Sequence, residues 1–115
     1  MTAANLDFVI EQGATFRYRL IIQQGGVPAD LTGYTVRMQV RRSYKVEQLL
    51  LELTETNGRL TLTPEEGRID MLITAEDTEE LTFKDGVYDM EIESVGGQVT
   101  RILQGIVTLS PEITR

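Results

Sequence analysis

The 115-residue chain contains no cysteine and no histidine. Without cysteine it has no disulfides, thiolate metal sites or thiol nucleophiles, and folding in a reducing compartment is favoured. Without histidine it lacks the usual acid–base group near neutral pH and the commonest metal ligand. Catalytic triads that depend on histidine are therefore excluded. A carboxylate-only or serine–lysine enzyme remains open, but no motif points to one. We expect a non-enzymatic protein with no cofactor.

Long apolar runs are also missing. No run is longer than three residues, as in the three leucines at residues 49–51, whereas a membrane helix needs roughly 20 apolar residues. The first five residues hold neither a basic stretch nor an apolar one, so no secretory signal peptide is expected. The sequence therefore predicts no membrane partner and synthesis in the cytoplasm. Any role outside the cell would be reached by lysis or on a particle.

The charge of the chain is acidic and unevenly distributed. The net charge of -7 argues against nonspecific nucleic-acid binding, which requires clustered cations. Residues 17–45 hold six Lys or Arg against one acid, a net of +5, whereas residues 46–93 hold three against fourteen, a net of -11. One interpretation is solvated strand faces of mixed sign. The other is a dipolar surface suited to head-to-tail contact between copies in a homo-oligomer.

Turn-forming residues recur between short apolar segments, which is typical of an all-β protein. The predicted strands lie at about 5–11, 15–23, 34–42, 49–54, 59–63, 67–74, 86–95 and 98–109. Asn57-Gly58 is a favoured two-residue hairpin turn and is expected to join the fourth and fifth strands. Gly96-Gly97 is expected to join the last two. We predict an antiparallel two-sheet β-sandwich, immunoglobulin-like, of seven or eight strands, forming a single domain over residues 1–115.

The core is predicted from side-chain alternation, because successive residues of a strand point to opposite faces. The third strand alternates most clearly, with Arg37 and Arg41 on its polar face. The inner rows predicted in this way are Phe8, Ile10, Phe16, Tyr18, Leu20, Val36, Met38, Val40, Leu60, Leu62, Ile69, Met71, Ile73, Tyr88, Met90 and Ile92. Of the seven aromatic residues, only Tyr44 and Phe83 are expected to be free of the core.

The last strand is apolar on both faces. Val99, Leu103, Val107 and Leu109 lie on one face, and Ile102 and Ile106 on the other. Such a strand is either central and buried on both sides, or its outer row is covered by the first strand or by a neighbouring subunit.

One acidic segment interrupts the strands. Thr74 is followed three residues later by Asp77, an imperfect capping box, and acids suit the start of a helix. We predict one or two helical turns near residues 75–81, crossing from one sheet to the other. The acids Glu65, Glu66 and Asp70 lack the alternating spacing of a calcium loop, so no metal site is predicted.

Two charged segments are the candidate protein interface. The tip at residues 41–45 is basic and carries one aromatic residue, and the predicted helix is acidic. The basic tip would suit nucleic acid or an acidic protein, and the acidic chain favours a protein. The candidate interface residues are Arg37, Arg41, Arg42, Tyr44, Lys45, Glu76, Asp77, Glu79 and Glu80.

Three blocks, at residues 5–16, 30–41 and 104–115, together resemble small β-sandwich proteins of the tail modules of tailed bacteriophages. That group includes tail-collar and fibre-connecting proteins. The Leu-Thr-Gly-Tyr element at residues 31–34 also looks like one in the N-terminal domains of phage baseplate proteins. No catalytic residues come with this resemblance.

The resemblance implies a structural protein of a phage or prophage virion, with copies arranged in a ring or attached to a fibre or baseplate. Its partners would be other tail or virion proteins. The alternative is an extracellular-type module that binds a ligand or glycan, which would need exposed aromatic residues.

Overall fold

The computed structural model describes residues 3–114. Within this range it contains eleven β-strands, a 3-10 turn at Pro64–Glu66 and one α-helix, α1 (Ala75–Glu79). The strands are β1 (Ala4–Asn5), β2 (Phe8–Glu11), β3 (Phe16–Ile21), β4 (Gln23–Gln24), β5 (Val27–Pro28), β6 (Thr35–Arg41), β7 (Leu49–Thr54), β8 (Leu60–Thr63), β9 (Arg68–Ile73), β10 (Asp85–Glu93) and β11 (Val99–Ser110). In the described part of the chain, no helix is long and apolar enough to cross a membrane.

The strands form two packed sheets and a small hairpin. In the large sheet, β11, β10, β6 and β7 lie side by side, and β1 and β2 pair in succession with the other edge of β11. The small sheet has the order β3-β9-β8, and β4 pairs with β5 around Gly25-Gly26. The predicted all-β sandwich is confirmed. It departs from a purely antiparallel sandwich at one place, since β1 and β2 run parallel to β11.

The core lies between the two sheets. β6 and β10 alternate as predicted, and their inner residues Val36, Met38, Val40, Tyr88, Met90 and Ile92 are all buried. Tyr18 was expected in the core but is partly exposed, because β3 is an edge strand of the small sheet. Phe83 was expected to be free but is buried. Tyr44 is exposed, as predicted.

β11 contains a β-bulge that the alternation rule missed. Met90 of β10 faces Leu103, whereas the next residue, Glu91, faces Arg101, so Ile102 is the extra residue. A bulge exchanges the two faces of a strand beyond it. Ile102 and Leu103 are therefore both buried, and Val99 is exposed although it was placed in the same row as Leu103. β11 is central in the large sheet, but Ile106 on its outer face stays partly exposed.

The turn at Asn57-Gly58 is not a hairpin, which corrects the prediction from its sequence. β7 belongs to the large sheet and β8 to the small one, so the turn carries the chain between sheets. The Asn57 side chain accepts hydrogen bonds from the Thr54 and Arg59 N–H groups and donates one to the Glu52 carbonyl. These bonds stabilise the turn without pairing the strands on either side. Gly96-Gly97 does join paired strands, β10 and β11.

The short helix is present and crosses between the sheets, as predicted. Thr74 caps it by accepting a hydrogen bond from the Asp77 N–H at 3.2 Å. Thr78 is fully buried, and its hydroxyl donates to the Ala14 carbonyl at 2.9 Å and accepts from the Gly13 N–H at 3.0 Å. Thr78 therefore fastens α1 to the turn between β2 and β3.

The segment between β1 and β2 passes directly over Gly105 of β11. A β-carbon at residue 105 would collide with the Leu6 carbonyl oxygen. The Leu6 N–H donates to the Gln104 carbonyl at 2.9 Å, and its own carbonyl accepts a hydrogen bond from the Tyr88 hydroxyl. The Ile106 N–H donates to Asp7 Oδ1 at 2.9 Å. We call this contact between residues 4–11 and β11 the N-terminal seam.

Candidate protein interface

The outer face of the large sheet, meaning the side that points away from the core, carries three of the predicted interface residues. Arg37 and Arg41 lie on β6, and Tyr44 lies in the loop between β6 and β7. Arg41 and Tyr44 line a shallow open depression together with outward side chains of β10 and β11. The structure therefore brings part of the predicted set together on one surface.

Arg37 is matched by acids of the neighbouring strand. Its guanidinium lies 2.8 Å from Glu93 Oε1 and 3.1 Å from Glu91 Oε1. The hydrogen bond that Arg37 donates to Glu93 is the main reason that the pKa of Arg37 is raised. β6 comes from the basic part of the chain and β10 from the acidic part. Part of the charge split in the sequence is thus neutralised between adjacent strands.

The same matching occurs on the small sheet. Arg19 of β3 lies directly opposite Asp70 of β9, with Nε 2.8 Å from Oδ1. Arg68 also pairs with Asp70 at 3.1 Å and with Glu66 at 3.6 Å. Asp70 and Glu66 are among the acids for which the sequence predicted no metal site, and in the structure they face arginines. The described residues contain no group of three or more possible metal ligands.

Arg41 braces the loop that carries Tyr44. Its guanidinium donates to Gln39 Oε1 at 2.8 Å, to the Val46 carbonyl at 3.3 Å and to the Glu47 carbonyl. Tyr44 itself is 84% exposed, and Lys45 Nζ lies 5.7 Å from the centre of its ring. Arg41 is thus occupied in holding an exposed aromatic residue at the rim of the depression.

An apolar pair lies on the outer face, beside Arg41 at the end of β6. Val87 of β10 is directly opposite Ile106 of β11, and the two are 38% and 47% exposed. Ile106 was predicted to point outward. Val87 was missed, although it shares the alternation of Asp89 and Glu91 and could have been found from it. Exposed apolar side chains among polar and charged ones are a feature of protein interfaces.

Asp89 lies beside this pair. Burial is the main cause that raises its pKa, and repulsion from Glu91 adds to it. Arg101 opposes the shift, since its Nε lies 3.3 Å from Asp89 Oδ2. The surroundings of the Asp89 carboxylate therefore disfavour its charged form, although Arg101 lies next to it.

The remaining predicted residues lie at one end of the sandwich. Arg42 and Glu80 line a second depression, the end depression, together with Leu49 and Leu81. Lys45 and the helix residues Glu76 and Glu79 are exposed. Asp77 is engaged within the chain, because its Oδ2 lies 3.0 Å from Arg59 Nη2. One predicted cation, Arg42, and one predicted acid, Glu80, therefore share a depression at this end, and Arg37 does not line it.

The fold and this outer face define an all-β sandwich module with a mixed polar and apolar sheet surface. No protein-family model matches the chain, and no curated protein matches it. Among solved structures, the chain is similar to the N-terminal domain of phage TP901-1 ORF48, with a TM-score of 0.56. The similarity covers 92% of this chain and 94% of that one at 8% sequence identity. At this identity the likeness is one of fold.

Proposed function

We propose that the chain is a non-catalytic structural module of a bacteriophage or prophage virion, in its tail, baseplate or collar region. It would be made in the host cytoplasm and act in the assembled particle, where its partners are other virion proteins. The full-length fold likeness to a phage protein domain supports this proposal. The resemblance of the three sequence blocks to phage tail proteins supports it independently.

The observation that carries the proposed role is the outer face of the large sheet. Val87 and Ile106 expose apolar surface on this face, and two of its arginines have acidic partners: Arg37 with Glu91 and Glu93, and Arg101 with Asp89. A partner that covers this face buries apolar area, which favours association. Each of these charged groups lies next to a group of opposite charge before docking. A partner that covers them therefore buries ion pairs and not isolated charges.

The test is copurification with the tail proteins encoded beside this gene. Ile106→Asp and Val87→Asp each place a charge in the exposed apolar pair of this face, and each should reduce copurification about tenfold or more. Ile21→Asp is the matched control, because Ile21 is 48% exposed but belongs to the small sheet. Equal loss in the control, or no loss in either outer-face variant, would contradict the assignment of this face.

A second candidate function is glycan or ligand binding at the depression that Arg41 and Tyr44 line on the outer face. Tyr44 is the observation in its favour, since an exposed aromatic ring held beside amide and carboxylate groups is suited to stack on a sugar. Binding on a glycan array that is abolished by Tyr44→Ala would favour this function. Absence of binding across the array would remove it.

A further inference from the structure

The end depression collects charges that have no partner within the described chain. Arg42 and Glu80 both line it and both are exposed, yet neither forms an ion pair with any of residues 3–114. Lys45 on the same loop and Glu79 at the end of α1 are also exposed and without an ion pair in that range. By contrast, Arg19 and Arg37 are matched by neighbouring strands.

The placement of these charges follows from the topology. β6 ends at Arg41, β7 begins at Leu49 and β10 begins at Asp85, so the loop at 42–48 and the segment after α1 emerge at the same end of the large sheet. Leu49 and Leu81 line the same depression as Arg42 and Glu80. One small surface therefore carries a cation, an anion and apolar side chains.

We propose that two copies of the chain associate through this end about a two-fold axis, with Arg42 of each copy against Glu80 of the other. A surface that carries both a cation and an anion is complementary to a second copy of itself. A two-fold axis then forms two contacts, each between the cation of one copy and the anion of the other. A head-to-tail contact would instead need the two signs on separate surfaces. The arrangement closes at a dimer and leaves the outer face of the large sheet free.

The strength of this contact follows from its composition. Ion pairs at exposed positions contribute little and are screened by salt, and the leucines add a modest apolar area. We therefore expect a weak dimer whose dissociation depends on concentration and salt. It requires only the purified chain, so its failure would leave the proposed contact with virion proteins untouched.

Sedimentation velocity tests the proposal, at protein concentrations from about 10 µM to about 1 mM and in about 50 mM salt. The mass should rise from 12.9 kDa toward twice that value. Arg42→Glu and Glu80→Arg should each weaken the dimer at least tenfold. An equal mixture of the two variants should restore it, because each copy then meets an opposite charge at both contacts. The double variant should restore it for the same reason.

Arg17→Glu is the matched control, since Arg17 is exposed and unpaired within the described residues but lies on β3 of the small sheet. It should dimerise as the original chain does, and circular dichroism should confirm that every variant is folded. A monomer at all concentrations would overturn the proposal. So would a dimer that neither reversal weakens, a mixture that fails to restore it, or assemblies larger than a dimer.

Discussion

The N-terminal seam and the outer face of the large sheet use hydrogen bonds in different ways. At the seam, and at Thr78, the polar groups of the interior have specific partners: Tyr88 donates to the Leu6 carbonyl, and Thr78 joins α1 to the turn before β3. On the outer face, Arg37 and Arg101 form ion pairs that water can replace. An unpaired buried group costs far more than an unpaired exposed one. The buried hydrogen bonds therefore stabilise the fold, and the exposed ion pairs of the outer face are available to partner proteins.

The largest effect should come from filling the space over Gly105. Gly105→Ala places a β-carbon against the backbone carbonyl of Leu6 and the carboxylate of Asp7, so the seam must move. We expect a loss of about 3 kcal/mol of unfolding free energy, near the upper end for overpacking. Urea denaturation measures it. Gly96→Ala is the control, because its β-carbon would meet only Ser94 Oγ at 3.9 Å. If both variants lost similar amounts of unfolding free energy, the added β-carbon at residue 105 would not be clashing with the N-terminal seam.

A smaller loss is expected for Thr78→Val. This change keeps the shape but leaves the Gly13 N–H and the Ala14 carbonyl without their side-chain partner. The cost should be about 1–3 kcal/mol, the range for a buried polar group left unpaired. Thr61→Val, at an exposed position of β8, should stay within about 0.5 kcal/mol. Thermal or urea unfolding of the two variants sharpens the contrast between buried and exposed polar groups.

The two ion-paired aspartates should respond to pH with opposite signs. The pKa of Asp70 is lowered, chiefly by its hydrogen bond with Arg19. Its contribution to stability is present above the unfolded pKa, which is about 3.9, and is lost as pH falls through the folded value. The pKa of Asp89 is raised, chiefly by burial. Its charge therefore costs stability at neutral pH, and that cost is relieved as the folded state takes up a proton.

Asp70→Asn should thus destabilise the protein at pH 7, by about 0.2–1 kcal/mol for a partly exposed pair, and the difference should shrink in acid as pH falls toward the lowered pKa of folded Asp70. Asp89→Asn should leave stability at pH 7 unchanged or slightly higher, with the difference disappearing in acid. Urea unfolding at about pH 7, about pH 5 and about pH 3 measures both stability differences. The same sign for both variants at pH 7 would show that burial does not dominate at Asp89.

Local rules recovered most of the fold from the sequence. Strict alternation located β6 and β10 to within two residues, and the capping residue Thr74 located α1. The rules failed where distant contacts decide the outcome. The bulge at Ile102 depends on β10 as its neighbour, and Asn57-Gly58 is a hairpin signal that pairing of β8 with β9 overrides.

The candidate interface was predicted in part. Charge and turn position located Arg42, Tyr44 and Lys45 in an exposed loop. They did not reveal that Arg37 is paired with Glu91 and Glu93, because cross-strand pairing depends on register. They also did not foresee that Arg42 and Glu80 line one depression, since that needs the order of strands in the sheet.

The parallel pairing at the N-terminal seam has a consequence for the timing of synthesis. Ala4 pairs with Leu103 and Phe8 with Val107, so β1 and β2 leave the ribosome well before β11, the strand with which they pair. Contacts so far apart in sequence form slowly, because a long loop must close before they are made. Until β11 is synthesised, β2, which carries Phe8 and Ile10, lacks the strand with which it pairs. The growing chain therefore exposes its N-terminal apolar residues until β11 has emerged, and this interval is when a chaperone would matter most.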